Sequence, residues 1–183
     1  GTLLSTRMGR LPIVAVIGSG VDDHDDLAQP LGQWLAGQDV HLLTGGGSGV
    51  MEAVSRSFHS VPDRRGLVIG VLPGEAGRSP EGYPNPWVEI PIATHLPFSG
   101  EQGTEVRSRN HINVLSADAI IVLPGGAGTA SEVDLAIKYR KPLAAFAIEP
   151  GDLFKLPPDV SVYQTIDEIK AFVTASLKTR AKL

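Results

Sequence analysis

The sequence predicts an α/β fold, a doubly wound parallel sheet in a single domain over residues 11–183. Apolar runs of strand length alternate with amphipathic segments of helix length along most of the 183 residues. The strand-like runs are continuously apolar, as in strands that are buried on both faces, and several of them end in glycine. An alternating series of this kind forms a parallel sheet with helices on both faces. We therefore expect a three-layer α/β/α, Rossmann-like arrangement.

The first half of the chain predicts three strands and two helices. PIVAVIGSG, residues 12–20, is the first strand, and DDLAQPLGQWLAGQ follows as a helix with acidic residues at its start, where they favour the helix dipole. VHLLTGG predicts the second strand, SGVMEAVSRSFHS the second helix, and GLVIGVLPG, residues 66–74, the third strand. Residues 75–97 are rich in proline, and only WVEIPI resembles a strand there. Long loops in compact α/β domains are usually functional, so we expect this segment near the site.

The second half continues the same alternation. It predicts a helix over about residues 104–115, the strand ADAIIVLPG and the helix GTASEVDLAIKYR. The strand KPLAAFAI and a final helix over about residues 165–177 complete the series. Between them, EPGDLFKLPPDVS is a proline-rich connection.

Composition narrows the classes of function. The net charge is -4, so the basic surface typical of a nucleic-acid-binding protein is missing, and we expect no nucleic-acid partner. No apolar run approaches the ~20 residues that cross a bilayer. The chain has no cysteine, and residues 1–10, GTLLSTRMGR, lack the apolar core of a signal peptide. We predict a flexible N-terminus over residues 1–10, no membrane partner and a cytoplasmic protein.

Three strands end in glycine-rich turns: IGSG, TGGGSG and PGGAG. Because the carboxyl ends of parallel strands meet at one edge of the sheet, these turns are expected to converge on one crevice, where open α/β folds bind ligands. Glycine also serves any tight turn, so a single turn of this kind has a purely structural interpretation too. The candidate binding residues in the turns are Gly18, Ser19, Gly45, Gly46, Gly47, Ser48, Gly49, Pro124, Gly125, Gly126, Gly128 and Thr129.

Two of the turns directly precede a helix, which predicts an anion site. Unpaired backbone N–H groups and the dipole at a helix N-terminus attract phosphate. The hydroxyls of Ser48 and Thr129 suit either a helix cap or a phosphate contact. Neither turn carries the lysine of a P-loop, and GSGVDD after the first strand lacks the third glycine of a dinucleotide site. The pattern favours a mononucleotide or sugar phosphate over NAD or a hydrolysed ATP.

Charged side chains near the last turn are candidates for the same crevice. Glu132 follows Thr129 by three residues, which fits either a capping box or a carboxylate that faces the ligand. Arg109 and Asn110 can reach the crevice from the preceding helix, and a guanidinium binds phosphate in a bidentate way. The alternative for Arg109 is a solvated helix face with an ion pair to Glu105.

Other residue types give weaker signals. The five histidines show no metal-ligand spacing, and DDHDD, residues 22–26, is typical of an acidic helix start, so we expect no metal and no resident cofactor. Trp34 and Met51 have the spacing of core residues. Tyr83 and Trp87, in the proline-rich segment, are expected to be exposed, where they can stack on a base.

These motifs resemble a known family. PGGAGTASE matches the P-G-G-x-G-T-x-x-E signature of the Lonely Guy family, formerly called lysine decarboxylases, and TGGGSGVMEAV resembles its upstream motif, which adds Met51 to the candidate binding residues. YPNPWVEIPIAT and the stretch from RNHINV to YRKPL are similar to a branch that includes the molybdenum cofactor carrier proteins. The resemblance covers most of residues 12–146.

The resemblance implies two functions. In Lonely Guy enzymes a nucleoside 5'-monophosphate is hydrolysed to base and ribose 5-phosphate; by motif, Glu132 matches the catalytic glutamate and Arg109 its paired arginine. Here Asn110 replaces the lysine that follows this arginine, and Ser131 replaces the first of two glutamates, departures that favour the carrier-like branch. The alternatives are therefore an N-glycosidase and a carrier or sensor of a nucleotide-like cofactor such as molybdenum cofactor. Relatives form dimers through helices beside the site, which implies a homodimer or higher homo-oligomer.

The old lysine decarboxylase name does not fit the residues. Pyridoxal phosphate chemistry requires a Schiff-base lysine. The motif helices offer only Lys138 and Lys141, which come late and near a strand start. We therefore expect no lysine decarboxylase activity.

Overall fold

The computed structural model of the protein describes residues 9–181, and its strands all belong to one sheet. The strands are β1 (Ile13–Ile17), β2 (His41–Thr44), β3 (Val68–Val71), β4 (Ile90–Ile92), β5 (Ala119–Val122), β6 (Leu143–Phe146) and β7 (Val162–Tyr163). The helices are α1 (Asp25–Ala36), α2 (Val50–His59), α3 (Asn110–Ser116), α4 (Ala127–Lys138) and α5 (Ile166–Ala181).

The sheet has the order β4-β3-β2-β1-β5-β6-β7, and every neighbouring pair is parallel. The chain builds outward from β1 to β4, then returns to the other side of β1 with β5. This change of direction lies between β1 and β5. In open parallel sheets the ligand crevice forms at such a point, outside the carboxyl ends of the strands.

The helices cover both faces of the sheet, as the sequence predicts. Alternate residues of β1 belong to different cores: Val14 and Val16 pack with α1, α2 and α5, whereas Ala15 and Ile17 pack with α3 and α4. Both sets are almost completely buried, which explains why the strands read as continuously apolar. The predicted doubly wound, Rossmann-like α/β fold is confirmed.

Two elements differ from the sequence prediction. Helix α3 begins at Asn110, not near residue 104, because the backbone of residue 107 pairs with Phe98 and the Ser108 hydroxyl accepts the N–H of Asn110. Strand β7 is not predicted from the sequence, because a strand of two residues is too short to show a periodic pattern. It follows the proline-rich connection and pairs with β6.

The N-terminal segment predicted to be flexible falls largely outside the described residues, which begin at residue 9. No helix within residues 9–181 is both long and apolar enough to cross a membrane. Across the same residues, no three acidic or histidine side chains are grouped so that they could hold a metal ion.

Candidate functional site

A cavity of about 310 Å³ lies at the carboxyl ends of β1 and β5. Its wall contains nine of the residues that the sequence singles out for binding or catalysis: Gly18, Ser19, Met51, Arg109, Asn110, Gly126, Gly128, Thr129 and Glu132. The remaining lining residues are Gly20, Val21, Tyr83, Ser99 and Gly100. The crevice expected from the topology is therefore present, and it gathers residues from six separate segments of the chain.

The turns after β1 and β5 are joined to each other. The N–H of Ser19 donates to the carbonyl of Pro124 at 2.9 Å. A Cβ atom at Gly125 would overlap the hydroxyl of Thr129 and lie 2.8 Å from the nitrogen of Ser19. Glycine at this position lets the two turns and the start of α4 approach closely. Pro124 and Gly125 thus support the cavity from behind its wall.

The N-terminus of α4 opens into the cavity. Gly126 is the N-cap residue and provides no side-chain cap, while its carbonyl accepts the N–H of Ala130. The N–H groups of Ala127, Gly128 and Thr129 precede the first intrahelical bond, and no acceptor among the described residues pairs with them. Thr129 lies inside the helix, so the capping box with Glu132 does not form. This end of α4 therefore presents free donors and the positive end of a helix dipole.

Glu132 faces this cavity from the second turn of α4. Burial raises the pKa of its carboxyl from 4.5 to about 7, and the positive charge of Arg109 opposes that rise. The two side chains do not form an ion pair within the described structure, because their charged atoms are more than 4.0 Å apart. Near neutral pH Glu132 is thus present in both the protonated and the ionised form.

Arg109 is a buried cation that the strand ends hold in place. Its Nε donates to the carbonyl of Val71 at 3.1 Å, Nη1 to Oδ1 of Asn110 at 2.7 Å, and Nη2 to the carbonyl of Gly45 at 3.5 Å. Only 5% of the residue is exposed, which excludes the solvated helix face with a Glu105 partner. A guanidinium has five N–H donors, so two remain for the cavity.

The turn after β2 lies behind the cavity wall. Its donors are used internally: Gly46 N–H reaches the Thr44 hydroxyl at 3.0 Å, and Gly47 N–H reaches the sulfur of Met51 at 3.4 Å. At the start of α2, Val50 N–H donates to the carbonyl of Ser19 at 2.8 Å. The residues of this turn that stay outside the cavity lining are Gly45, Gly46, Gly47, Ser48 and Gly49, and only Met51 of that motif reaches the ligand space.

Tyr83, Ser99 and Gly100 enter the site from segments without a recognisable motif. Tyr83 comes from the proline-rich segment, and it is half-buried in the cavity wall. Trp87 instead lies against His59, with ring centroids 5.5 Å apart, and does not line the cavity. The sequence predicts an exposed Tyr83 that can stack on a base, and the structure has it half-buried; Ser99 and Gly100 carry no signal in the sequence.

The described geometry agrees with a comparison to known proteins. A model of the SLOG cluster4 family matches residues 11–174. The chain belongs to this family. An uncharacterized protein of Archaeoglobus fulgidus is 31% identical to this SLOG cluster4 protein over 167 residues, covering 88% of this chain and 99% of the relative.

Solved structures resemble this SLOG cluster4 protein over nearly its whole length. The molybdenum cofactor binding protein of the phototrophic bacterium Rippkaea orientalis is 29% identical, with a TM-score of 0.69, over 92% of this chain and 98% of that one. The molybdenum cofactor carrier protein of Chlamydomonas reinhardtii is also 29% identical, with a TM-score of 0.69, over 92% and 99% of the two chains. The resemblance to the carrier-containing branch is thus confirmed.

Proposed function

We propose that the cavity binds a phosphorylated, nucleotide-like small molecule, with its phosphate at the N-terminus of α4. The observation that carries this proposal is that Gly128 and Thr129, whose N–H groups have no acceptor among the described residues, line the same cavity as Arg109. Backbone donors, a helix dipole and a guanidinium together form the usual environment of a bound phosphate.

A carrier function is one form of this proposal. The chain is 29% identical to proteins named for binding or carrying molybdenum cofactor. That cofactor contains a pterin and a phosphate, and its phosphate would bind to the backbone donors of α4 and to the guanidinium of Arg109. Asn110 and Ser131 also depart from the hydrolase signature at two charged positions. Molybdenum cofactor is then the cargo of the protein, released without chemical change.

Glu132 favours a second candidate function, hydrolysis of the N-glycosidic bond of a nucleoside 5'-monophosphate. In that reaction the bond from ribose C1' to the base nitrogen breaks, water adds to C1', and the base leaves with a proton. The ribose gains oxocarbenium character, which an ionised carboxylate stabilises. A carboxyl with a pKa of about 7 is suited to both this role and proton transfer at neutral pH.

Binding is tested with a methyl group placed at the phosphate position. Cα–Cβ bonds in a helix tilt toward its N-terminus, so Gly128→Ala projects a methyl group toward an anion bound there. A Cβ at Gly128 has its nearest neighbour at 3.6 Å, an ordinary contact, and alanine favours helix, so the fold is retained. Gly151→Ala is the matched control, because a Cβ there meets nothing within 4 Å and lies outside the cavity.

Calorimetric titration with AMP separates the outcomes. We expect wild type and Gly151→Ala to bind alike and Gly128→Ala to bind at least 10-fold more weakly with an unchanged or higher melting temperature. Equal AMP affinity in all three proteins would contradict placement of the phosphate at α4, and no binding to wild type would contradict the proposal itself.

Turnover is tested by incubating the protein with several nucleoside monophosphates and measuring free base. Release of base that disappears in Glu132→Gln supports hydrolysis. Binding without base release supports the carrier function.

We also propose that the protein forms a homo-oligomer through α3 and α4. Exposed apolar residues are present on both helices: Ile112 and Leu115 on α3, and Ile137 on α4, are 36%, 51% and 42% exposed. Light scattering after size-exclusion chromatography measures the mass of the assembly directly. A monomer at micromolar concentration would contradict this proposal.

A further inference from the structure

We propose that Tyr83 is a specificity-determining residue, which with Met51 forms an apolar wall against which a planar heterocycle of the ligand lies. This inference rests on the proposed phosphate site and names the other half of the ligand, an aromatic ring. Tyr83 and Met51 line the cavity that also contains Gly128 and Arg109.

Asn85 fixes the position of the segment that carries Tyr83. Asn85 is buried; its backbone N–H donates to the carbonyl of Gly46 at 2.8 Å, and its side-chain Nδ2 donates to the carbonyl of Gly47 at 2.8 Å. Its Oδ1 accepts the N–H of Trp87 at 3.0 Å. The proline-rich segment is therefore tied to the turn after β2, only two residues from Tyr83.

Gly47 lets Tyr83 and Met51 reach the cavity together. A Cβ at Gly47 would lie 2.9 Å from Cε1 and Cζ of Tyr83 and 2.9 Å from Cε of Met51. Both side chains consequently lie against the bare backbone of Gly47. The glycine is required for this close approach even though it contacts no ligand itself.

Met51 connects the aromatic part of the cavity to its cationic part. A Cβ at Gly45 would lie 3.0 Å from the sulfur of Met51, and it would also contact the guanidinium of Arg109. The same guanidinium donates to the carbonyl of Gly45. The methyl group of Met51 lies beside Tyr83 at Gly47. The cavity wall thus changes from N–H donors and a guanidinium to a thioether and an aromatic ring.

Val21 adds to the apolar side of the cavity. It lines the cavity, and 88% of it is exposed. The Ser19 hydroxyl accepts the N–H groups of Val21 and Asp22 at 3.1 and 2.9 Å, which fixes this loop. A ligand with an aromatic ring would cover this exposed surface and stack on the tyrosine ring.

The experiment compares AMP with ribose 5-phosphate, which has the sugar phosphate without the ring. We expect Tyr83→Ala and Tyr83→Leu to weaken AMP binding roughly 5- to 150-fold, the range for loss of one base-stacking contact, while ribose 5-phosphate binding changes less than about twofold. Tyr83→Phe keeps the ring and should bind AMP like wild type. Trp87→Ala, in the same segment but outside the cavity, is the matched control and should bind both ligands normally.

The ratio of the two affinities is the decisive readout, because a merely structural effect of Tyr83 would weaken both ligands equally. An equal loss, or no loss of AMP binding in Tyr83→Ala and Tyr83→Leu, would overturn the inference. Wild type that binds ribose 5-phosphate as tightly as AMP would also overturn it and leave the phosphate site standing. If wild type binds neither compound, both proposals fail.

Discussion

Replacing Glu132 by glutamine is predicted to stabilise the protein, and to do so more strongly as the pH rises. The carboxyl lies in the cavity wall with its pKa raised from 4.5 to about 7, mainly by burial. Ionisation is therefore more costly in the folded chain than in the unfolded chain. Glutamine has nearly the same shape and no charge, so the variant lacks this cost.

The size of the effect follows from the pKa. Each unit of difference between folded and unfolded chains equals about 1.4 kcal/mol, so full ionisation of Glu132 costs the folded protein about 3 kcal/mol. Because folding raises the pKa of Glu132, the wild-type protein bears no ionisation cost below about pH 4.5. It loses this contribution to its unfolding free energy as the pH rises through about 7. The advantage of Glu132→Gln over wild type grows from about 1 kcal/mol at pH 5 to about 3 kcal/mol at pH 8.5, counting only ionisation.

Urea unfolding of both proteins at these two pH values measures the difference. Any hydrogen bond that glutamine gains or loses adds a constant, so only the change with pH reports the ionisation. A difference between the proteins that stays within about 0.5 kcal/mol across this range would refute a raised pKa at Glu132. A difference that shrinks as the pH rises would show that the folded protein stabilises the carboxylate, which is the reverse of the effect of burial.

Three further predictions concern the site and its support. AMP affinity should fall more steeply in wild type than in Glu132→Gln between pH 6 and pH 8.5, because an ionised Glu132 repels phosphate; calorimetry at both pH values tests this, and parallel curves would contradict it. Gly125→Ala should cost about 1–3 kcal/mol of unfolding free energy, since a methyl group there overlaps Thr129, whereas Gly151→Ala should change it by less than about 0.5 kcal/mol in the same urea experiment. Leu31 is fully buried, so Leu31→Ala should lower the unfolding free energy by about 2–5 kcal/mol in urea. A decrease below about 1 kcal/mol would show that the core closes around the space left by the leucine side chain.

The strands and long helices were predictable because their burial is periodic or continuous in the sequence. Residues 13–17 lie in the middle of the sheet between two cores, and such a strand has no polar face to interrupt the apolar run. The start of α3 was not predictable to within a turn, since it depends on the pairing of Phe98 with a backbone carbonyl nine residues later. That contact is tertiary and leaves no pattern in the neighbouring residues.

The candidate site shows the same limit. TGGGSG and PGGAG look alike, and both precede a helix, yet the first N–H group of α2, on Val50, is paired, whereas no acceptor among the described residues pairs with that of α4, on Ala127. The N–H of Val50, at the start of α2, donates to the carbonyl of Ser19, which lies in a turn about 30 residues earlier in the chain. Local sequence predicts a helix N-terminus that can bind an anion, but the rest of the fold decides which of its first N–H groups are already paired.

Asn110 and Ser131, the two departures from the hydrolase signature, have a common structural role. Asn110 donates to the carbonyl of Gly103 at 3.3 Å, and Ser131 donates to the carbonyl of Gly100 at 2.7 Å. Both neutral side chains therefore hold the segment from Gly100 to Gly103 against α3 and α4, at the rim of the cavity. In the signature, a lysine and a glutamate stand at these positions and would add two charges there. Without them, Arg109 and Glu132 are the charged residues that line the cavity, so protonation of Glu132 alone changes the charge that a phosphate meets. A site whose charge changes near neutral pH fits uptake and release of an anionic ligand.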